Sequence, residues 1–191
     1  MSEPQDATPE ADHLLLARFA AGDRLAARTL TLRLAPRCLS LARRMLADQT
    51  EAEDVAQEAM LRLWKVAPDW QEGQAQVSTW LYRVTANLCT DRLRRRRSLP
   101  LDDNFDMPDD TPGIDANLIA RDRVAALHQA ITQLPERQRA AIALRHFEER
   151  ANPEIADILG LSVEAVESLL SRGKRNLTKL LDAQKPALGL A

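Results

Sequence analysis

Trp80, Arg83, Asn87, Thr90, Arg94 and Arg97 recur at spacings of three and four. At about 100° per residue they share one side of a helix. Guanidinium groups set with an amide and a hydroxyl suit a phosphate backbone, and a neighbouring indole suits stacking on an unpaired base. A merely solvated face ordinarily mixes both signs, yet residues 83–97 hold six arginines and one acid, Asp91. Within the run RLRRRR at 92–97, helical phase sends Arg94 and Arg97 to the outward face. Arg92 and Arg95 fall nearer the core-side edge, suited to bracing acids or phosphates.

A second set lies in NPEIADILGLSVEAVESLLSRGKRNL, residues 152–177. Asn152 can cap a helix that has Pro153 at its first position. Ala156 permits a close crossing, Gly160 supplies a left-handed turn, and Ser162 can cap the next helix. This is the helix-turn-helix pattern, although an ordinary helical hairpin shares much of it. Val163, Val166, Leu170, Gly173 and Leu177 form the inner side of the second helix. Glu164, Glu167, Ser168, Ser171, Arg172, Lys174 and Arg175 are left for a major groove, early residues meeting base edges and later cations meeting phosphates.

A third set stands on a helix expected from Thr50 to Val66, opened by a Thr50–Glu53 capping box. Ala52, Val55, Ala56, Ala59, Leu63 and Val66 make its core stripe, while Asp54, Gln57, Glu58, Leu61 and Trp64 fall together on another face. A leucine and a tryptophan among acids point to protein docking. The alternative, that Trp64 packs beneath a neighbouring helix, stays open.

These sets must be held by helices. The 191 residues are 45% hydrophobic and 28% charged, with six glycines and ten prolines, so an all-α globular protein is expected. Breaks fall near residues 21–23, at 48–50 and across 68–78. The stretch 99–117, LPLDDNFDMPDDTPGIDAN, suits a flexible acidic linker. The expected organisation is a disordered tail at 1–12, a helical domain at 13–99, the linker at 100–118, a helix-turn-helix domain at 119–185 and a tail at 186–191. The net charge of −2 hides segregation: residues 48–58 carry five acids and no base, and 100–115 carry six acids and no base. Such blocks imply several surfaces with different partners.

Cys38 and Cys89 lack metal-ligand spacing, and His13, His128 and His146 are scattered, so neither a metal nor a disulfide is expected. Small buried thiols are the expected role of both cysteines. No glycine loop for phosphate and no clear nucleophile–base pair is visible, so neither enzymatic activity nor a cofactor is expected. The polar, acidic N-terminus and the lack of a long apolar run point to a cytoplasmic protein without membrane insertion.

With these residues in hand, the chain resembles bacterial sigma factors of the sigma-70 family, in the small extracytoplasmic-function class, from Leu14 to about Leu181. AEDVAQEAMLRLWK resembles the segment that docks on the clamp helices of the RNA polymerase β′ subunit, which implies Asp54, Gln57, Glu58, Leu61 and Trp64 as core contacts. STWLYRVTANLCTDRLRRRR resembles the segment that melts and reads the minus-ten promoter element. Trp70 and the loop from Gln71 to Thr79 resemble the part that captures a flipped base, with Trp80, Arg83, Asn87, Thr90, Arg94 and Arg97 along the strand. The stretch from Leu134 resembles the domain that reads the minus-thirty-five element. At Glu167 and Leu169 the family often carries basic residues, so this recognition helix is less basic than most. The resemblance also implies β-subunit contacts, a linker threaded towards the polymerase active centre, a controlling anti-sigma factor and a role in stress response. Two alternatives are a sigma-like decoy that sequesters an anti-sigma factor and a stand-alone helix-turn-helix regulator.

Overall fold

Asp23 and Asp48 set the starts of the two long helices that frame the first half of the chain. Asp23 Oδ1 accepts from the backbone N–H of Leu25 at 2.8 Å and of Ala26 at 3.2 Å, and Asp48 Oδ1 accepts from Glu51 at 2.9 Å. Each satisfies donors that a helix start leaves without an internal partner. In the computed structural model, which describes residues 10–71, 73, 75–98 and 117–184, the elements are eight helices. They are α1 Asp12–Ala20, α2 Arg24–Leu46, α3 Gln49–Val66, α4 Val77–Ser98, α5 Asn117–Thr132, α6 Glu136–His146, α7 Asn152–Leu159 and α8 Val163–Gln184. A 3-10 turn, Ala67–Asp69, separates α3 from the loop before α4. Among the described residues there is no strand, and no helix is long and apolar enough to cross a membrane. The all-α expectation holds; the proposed linker lies almost wholly outside the described residues.

Three local expectations change. Asp48, not Thr50, caps α3, because its carboxylate already reaches the N–H of Glu51. Ala151 is the cap residue of α7, and Glu154 reaches back to accept its N–H at 2.8 Å; the side-chain oxygen of Asn152 is buried without a partner. α1 opens at Asp12, one residue before the expected domain boundary, and Asp12 Oδ1 pairs with Arg33 of α2 at 2.6 Å. Ser162 does cap α8, accepting from Ala165 N–H at 3.2 Å.

Two apolar cores result. One gathers Leu15 and Leu16 of α1, Leu30, Leu34 and Cys38 of α2, Leu63 of α3 and Leu81 of α4. The other is shared by both halves of the chain. Leu41, Met45 and Leu46 of α2, Val55 of α3, and Tyr82, Ala86 and Cys89 of α4 pack with Ile142 and Leu144 of α6, Ile155 and Ile158 of α7, and Val166 and Leu170 of α8. The α7–α8 corner turns on Gly160, whose φ of 64° is left-handed and disfavours a side chain. α6 and α8 approach so closely that a Cβ on Gly173 would sit 2.9 Å from Ile142 Cγ1.

Leu61 and Leu63 lie two residues apart on α3, one 57% exposed and the other 0%. Leu63→Ala is expected to lower stability by about 2–5 kcal/mol in urea unfolding. Leu61→Ala should stay within about 0.5 kcal/mol of the parent chain.

Candidate nucleic-acid and protein-docking faces

α3 is held by its buried side: Ala52, Val55, Ala56, Ala59, Met60 and Leu63 are all buried. The opposite side presents Asp54, Gln57 and Leu61 to solvent, with Glu58 half-buried and paired to Arg62 at 2.9 Å. Trp64 is also half-buried: its ring meets Phe19 of α1 at a centroid distance of 4.6 Å and 55°. It therefore stands at the α1–α3 seam while Asp54, Gln57 and Leu61 on the same face are open.

α4 uses more than one side for packing. Val77 and Leu81 are buried as the helical phase requires, but Tyr82, Thr85, Ala86 and Cys89 are buried as well. The second buried side faces α6 and α7. As a result the row of candidate strand-binding residues is not uniformly free. Asn87 is exposed, and Arg94, 75% exposed, reaches only towards Asp91 at 3.9 Å. Arg83 donates to the backbone carbonyl of Asp157 in α7, and Arg97 pairs with Glu136 of α6. Thr90 gives its hydroxyl to Ala86 O at 2.9 Å. Helical phase alone put all five on one outward face; the packing of α6 and α7 against α4 covers part of it.

The rest of the arginine run divides. Arg92 turns core-side and donates to Glu51 O at 3.0 Å, with Asp54 at 3.8 Å. Arg96, one of the arginines after Asp91 that the resemblance puts along the strand and adjoining duplex, lies between Asp48 at 3.4 Å and Glu51 at 2.8 Å. Arg95 is exposed. Near the start of α4, Trp70 packs edge-on against Trp80, with centroids 5.9 Å apart at 84°. Trp70 also lines a cavity of about 500 Å³, together with Gln76, Val77 and Ser78 and with Ala11, Asp12 and His13 of the α1 start. The α1 wall was not foreseen; no spacing in the sequence links residue 12 to residue 70.

α8 lies with Val166, Leu170 and Gly173 buried and with Glu164, Glu167, Ser168, Ser171, Arg172, Lys174 and Arg175 all exposed. The Glu164 carboxyl is held below its ordinary range by a backbone N–H at its own position and then by the Ser162 hydroxyl. At neutral pH it is an acceptor only. Arg172 folds back onto Ser168, donating to its hydroxyl at 2.8 Å.

The seam between the halves is polar at its centre. Glu148, 8% exposed, sits in the α6–α7 loop and accepts from Ser40 Oγ of α2 at 2.5 Å and Tyr82 OH of α4 at 2.7 Å. Arg44 donates to the same Ser40 hydroxyl at 2.6 Å and lies over the Phe147 ring at 4.0 Å. Burial, then the hydrogen bond to Glu148, pushes the Tyr82 phenol upward, so it remains a donor at neutral pH. Arg139, 8% exposed, spans the seam to the backbone carbonyl of Met45 at the end of α2. Sequence spacing held no trace of this cluster, since its partners are 66 to 108 residues apart.

The two cysteines are buried, and burial pushes Cys38 up to about 11 and Cys89 up to about 12, so both are protonated at neutral pH. Among the described residues no group of histidine, cysteine and acidic side chains is arranged to hold a metal.

Comparison with known proteins accounts for both halves. Residues 30–99 match the Sigma-70 region 2 family and residues 125–177 match Sigma-70, region 4. The RNA polymerase sigma-H factor of Pseudomonas aeruginosa is 31% identical over 185 residues, covering 91% of this chain and 95% of that protein. The ECF RNA polymerase sigma factor SigM of Mycobacterium tuberculosis is 32% identical over 173 residues, covering 89% and 84%. The solved structure of CnrH in complex with the cytosolic domain of CnrY is 28% identical with a TM-score of 0.70, covering 91% of this chain and 99% of that one.

Glu148→Ala leaves the Tyr82 hydroxyl and the Ser40–Arg44 pair without their shared acceptor, at a cost of about 1–3 kcal/mol. In solution scattering the radius of gyration is expected to rise while circular dichroism keeps its helix content.

Proposed function

This chain belongs to the sigma-70 family, in the extracytoplasmic-function class, and we propose that it binds core RNA polymerase through α3, directs it to promoters and opens the minus-ten element with α4. The observation that carries the reading is the outer side of α3. Leu61 is 57% exposed among Asp54, Gln57 and Glu58, on a helix whose other side is fully packed. A stand-alone helix-turn-helix regulator has no use for such a face, and a decoy has no use for Asn87 and Arg94 along α4. The chain itself carries out no bond-making; it supplies promoter address and strand separation, with polymerase supplying catalysis. The minus-ten strand runs from the Trp70 cavity past Trp80 and Asn87 to Arg94. The minus-thirty-five duplex receives α8, with Glu164 and Glu167 as acceptors towards cytosine N4 and Arg172, Lys174 and Arg175 towards phosphates. By analogy with CnrH, captured with the cytosolic domain of CnrY, an anti-sigma factor is the expected controlling partner. The cytoplasm, where polymerase works, is the expected compartment.

The two promoter elements, about 25 base pairs apart by name, are separated by roughly 85 Å of duplex at 3.4 Å per step. A compact chain of this length has a radius of gyration of about 16 Å. The shared core therefore has to part before both elements are read. Parting also releases Arg83 and Arg97 from Asp157 and Glu136 for the strand.

The deciding experiment is binding to purified core polymerase without DNA, followed by transcription from a linear promoter library. Binding and promoter-dependent transcripts are expected, and absence of core binding sinks the reading. Asp54→Lys should weaken core affinity at least tenfold with unchanged thermal stability. Dyes placed at Thr29 and Lys179, one in each half, should lose energy transfer when core and promoter are added; unchanged transfer would show that the halves stay together.

A further inference from the structure

We propose that Asp12 is a specificity-determining residue of the base-capture cavity, where its carboxylate selects an unpaired base that carries an exocyclic amine at its Watson–Crick edge. This rests on reading α4 and the loop before it as the single-strand surface. Asp12 does not belong to that loop: it stands in the first turn of α1 and lines the same cavity as Trp70.

The cavity, about 500 Å³, falls within the usual size of small-molecule sites. Trp70, fixed by its edge-on contact with Trp80, gives one wall an aromatic surface for stacking. Val77 adds an apolar surface, and Gln76 and Ser78 add polar groups. Among the described lining residues Asp12 is the only carboxylate. It is held in place: Oδ1 accepts from Arg33 Nη1 at 2.6 Å, and the same Nη1 donates to Glu10 O at 2.8 Å. One hydrogen bond uses a fraction of what a carboxylate can accept, so the anchored group keeps capacity for a donor from a ligand.

A carboxylate accepts and cannot donate. Cytosine offers N4–H₂ and adenine offers N6–H₂ to such a group, whereas thymine presents the O4 acceptor in the same place. Guanine offers N1–H and N2–H₂ side by side on its Watson–Crick edge, two donors for one carboxylate, so it is accepted with the other amine-bearing bases and thymine is the base refused. Selection thus has an attractive part, the amine bond, and a repulsive part, oxygen against oxygen. Arg33 serves as a positioning residue, since it orients the carboxylate through the ion pair.

The test uses the full chain and fluorescently labelled single strands of the promoter's non-template sequence at low salt. An abasic site is first moved along the strand to find the position whose loss weakens binding most. At that position cytosine or adenine should bind about tenfold more tightly than thymine. Asp12→Asn, whose amide both donates and accepts, should bring the bases within about twofold of each other. Arg33→Gln, which frees the carboxylate without removing it, should give an intermediate ratio; thermal unfolding confirms that both variants are folded. An undiminished preference in folded Asp12→Asn overturns the role of Asp12 and leaves base capture standing. If no abasic position weakens binding in the parent chain, the strand-capture reading itself falls.

Discussion

A carboxylate buried between helices has to find donors, because leaving it unpaired in a low-dielectric interior costs several kcal/mol. Glu148 finds its donors on the opposite half of the molecule, at Ser40 and Tyr82. Its own loop arranges the approach: Glu149 adopts a left-handed φ of 53°, a conformation that side chains disfavour, and Arg150 returns its guanidinium to Glu148 O at 2.8 Å. The loop thus spends local strain to hold an acid against α2 and α4. Around that acid the apolar side chains of six helices form one core, so the two halves behave as one folded body in this arrangement. Removing the acid weakens the seam without touching either half's own packing.

The same seam explains how an acidic chain accommodates RLRRRR. The acid block at the start of α3 is answered directly by the end of α4, where Arg96 lies between Asp48 and Glu51 and Arg92 caps the carbonyl of Glu51. Arg97 is engaged by Glu136 from the other half. What remains outward of the row is Arg94 with Asn87, and these exposed pairings contribute little to stability. Part of the arginine block therefore braces α3, part pairs across the seam, and part stays exposed. Its charge density alone does not separate these uses; their partners do.

Helix existence, the breaks at residues 21–23 and 48–50, the Ser162 cap and the inner side of α8 were all legible, because each depends on residues within about one turn of one another. The second buried side of α4 was not. A helix packed on one side shows a single apolar stripe, whereas α4 buries Tyr82, Thr85 and Cys89 beside Leu81, and this blurs the stripe that phase arguments depend on. Trp64 is ambiguous for a related reason: an indole can cover a seam and still contribute to an outer face. Asp12 was illegible altogether. It reads as the edge of an acidic tail until Arg33, 21 residues later, is brought beside it.

The closed arrangement treats the two proposed surfaces differently, and that difference has an energetic consequence. Asp54, Gln57 and Leu61 on α3 are open to a partner while Arg83 and Arg97 on α4 are engaged across the seam. A partner arriving at α3 therefore needs no prior opening. It shifts the closed–open balance only by the difference in its affinity for the two forms. A hundredfold preference for the open form corresponds to about 2.7 kcal/mol, which is comparable to the 1–3 kcal/mol expected from unsatisfying one buried polar network such as that of Glu148. Linkage is reciprocal, so a polymerase that binds the open form more tightly is weakened by the same factor when a partner clamps the seam shut, even if that partner never touches α3. Control of such a chain then requires only a grip on α2, α4 and the α6–α7 loop, with no contact to Leu61 on the face proposed for the polymerase.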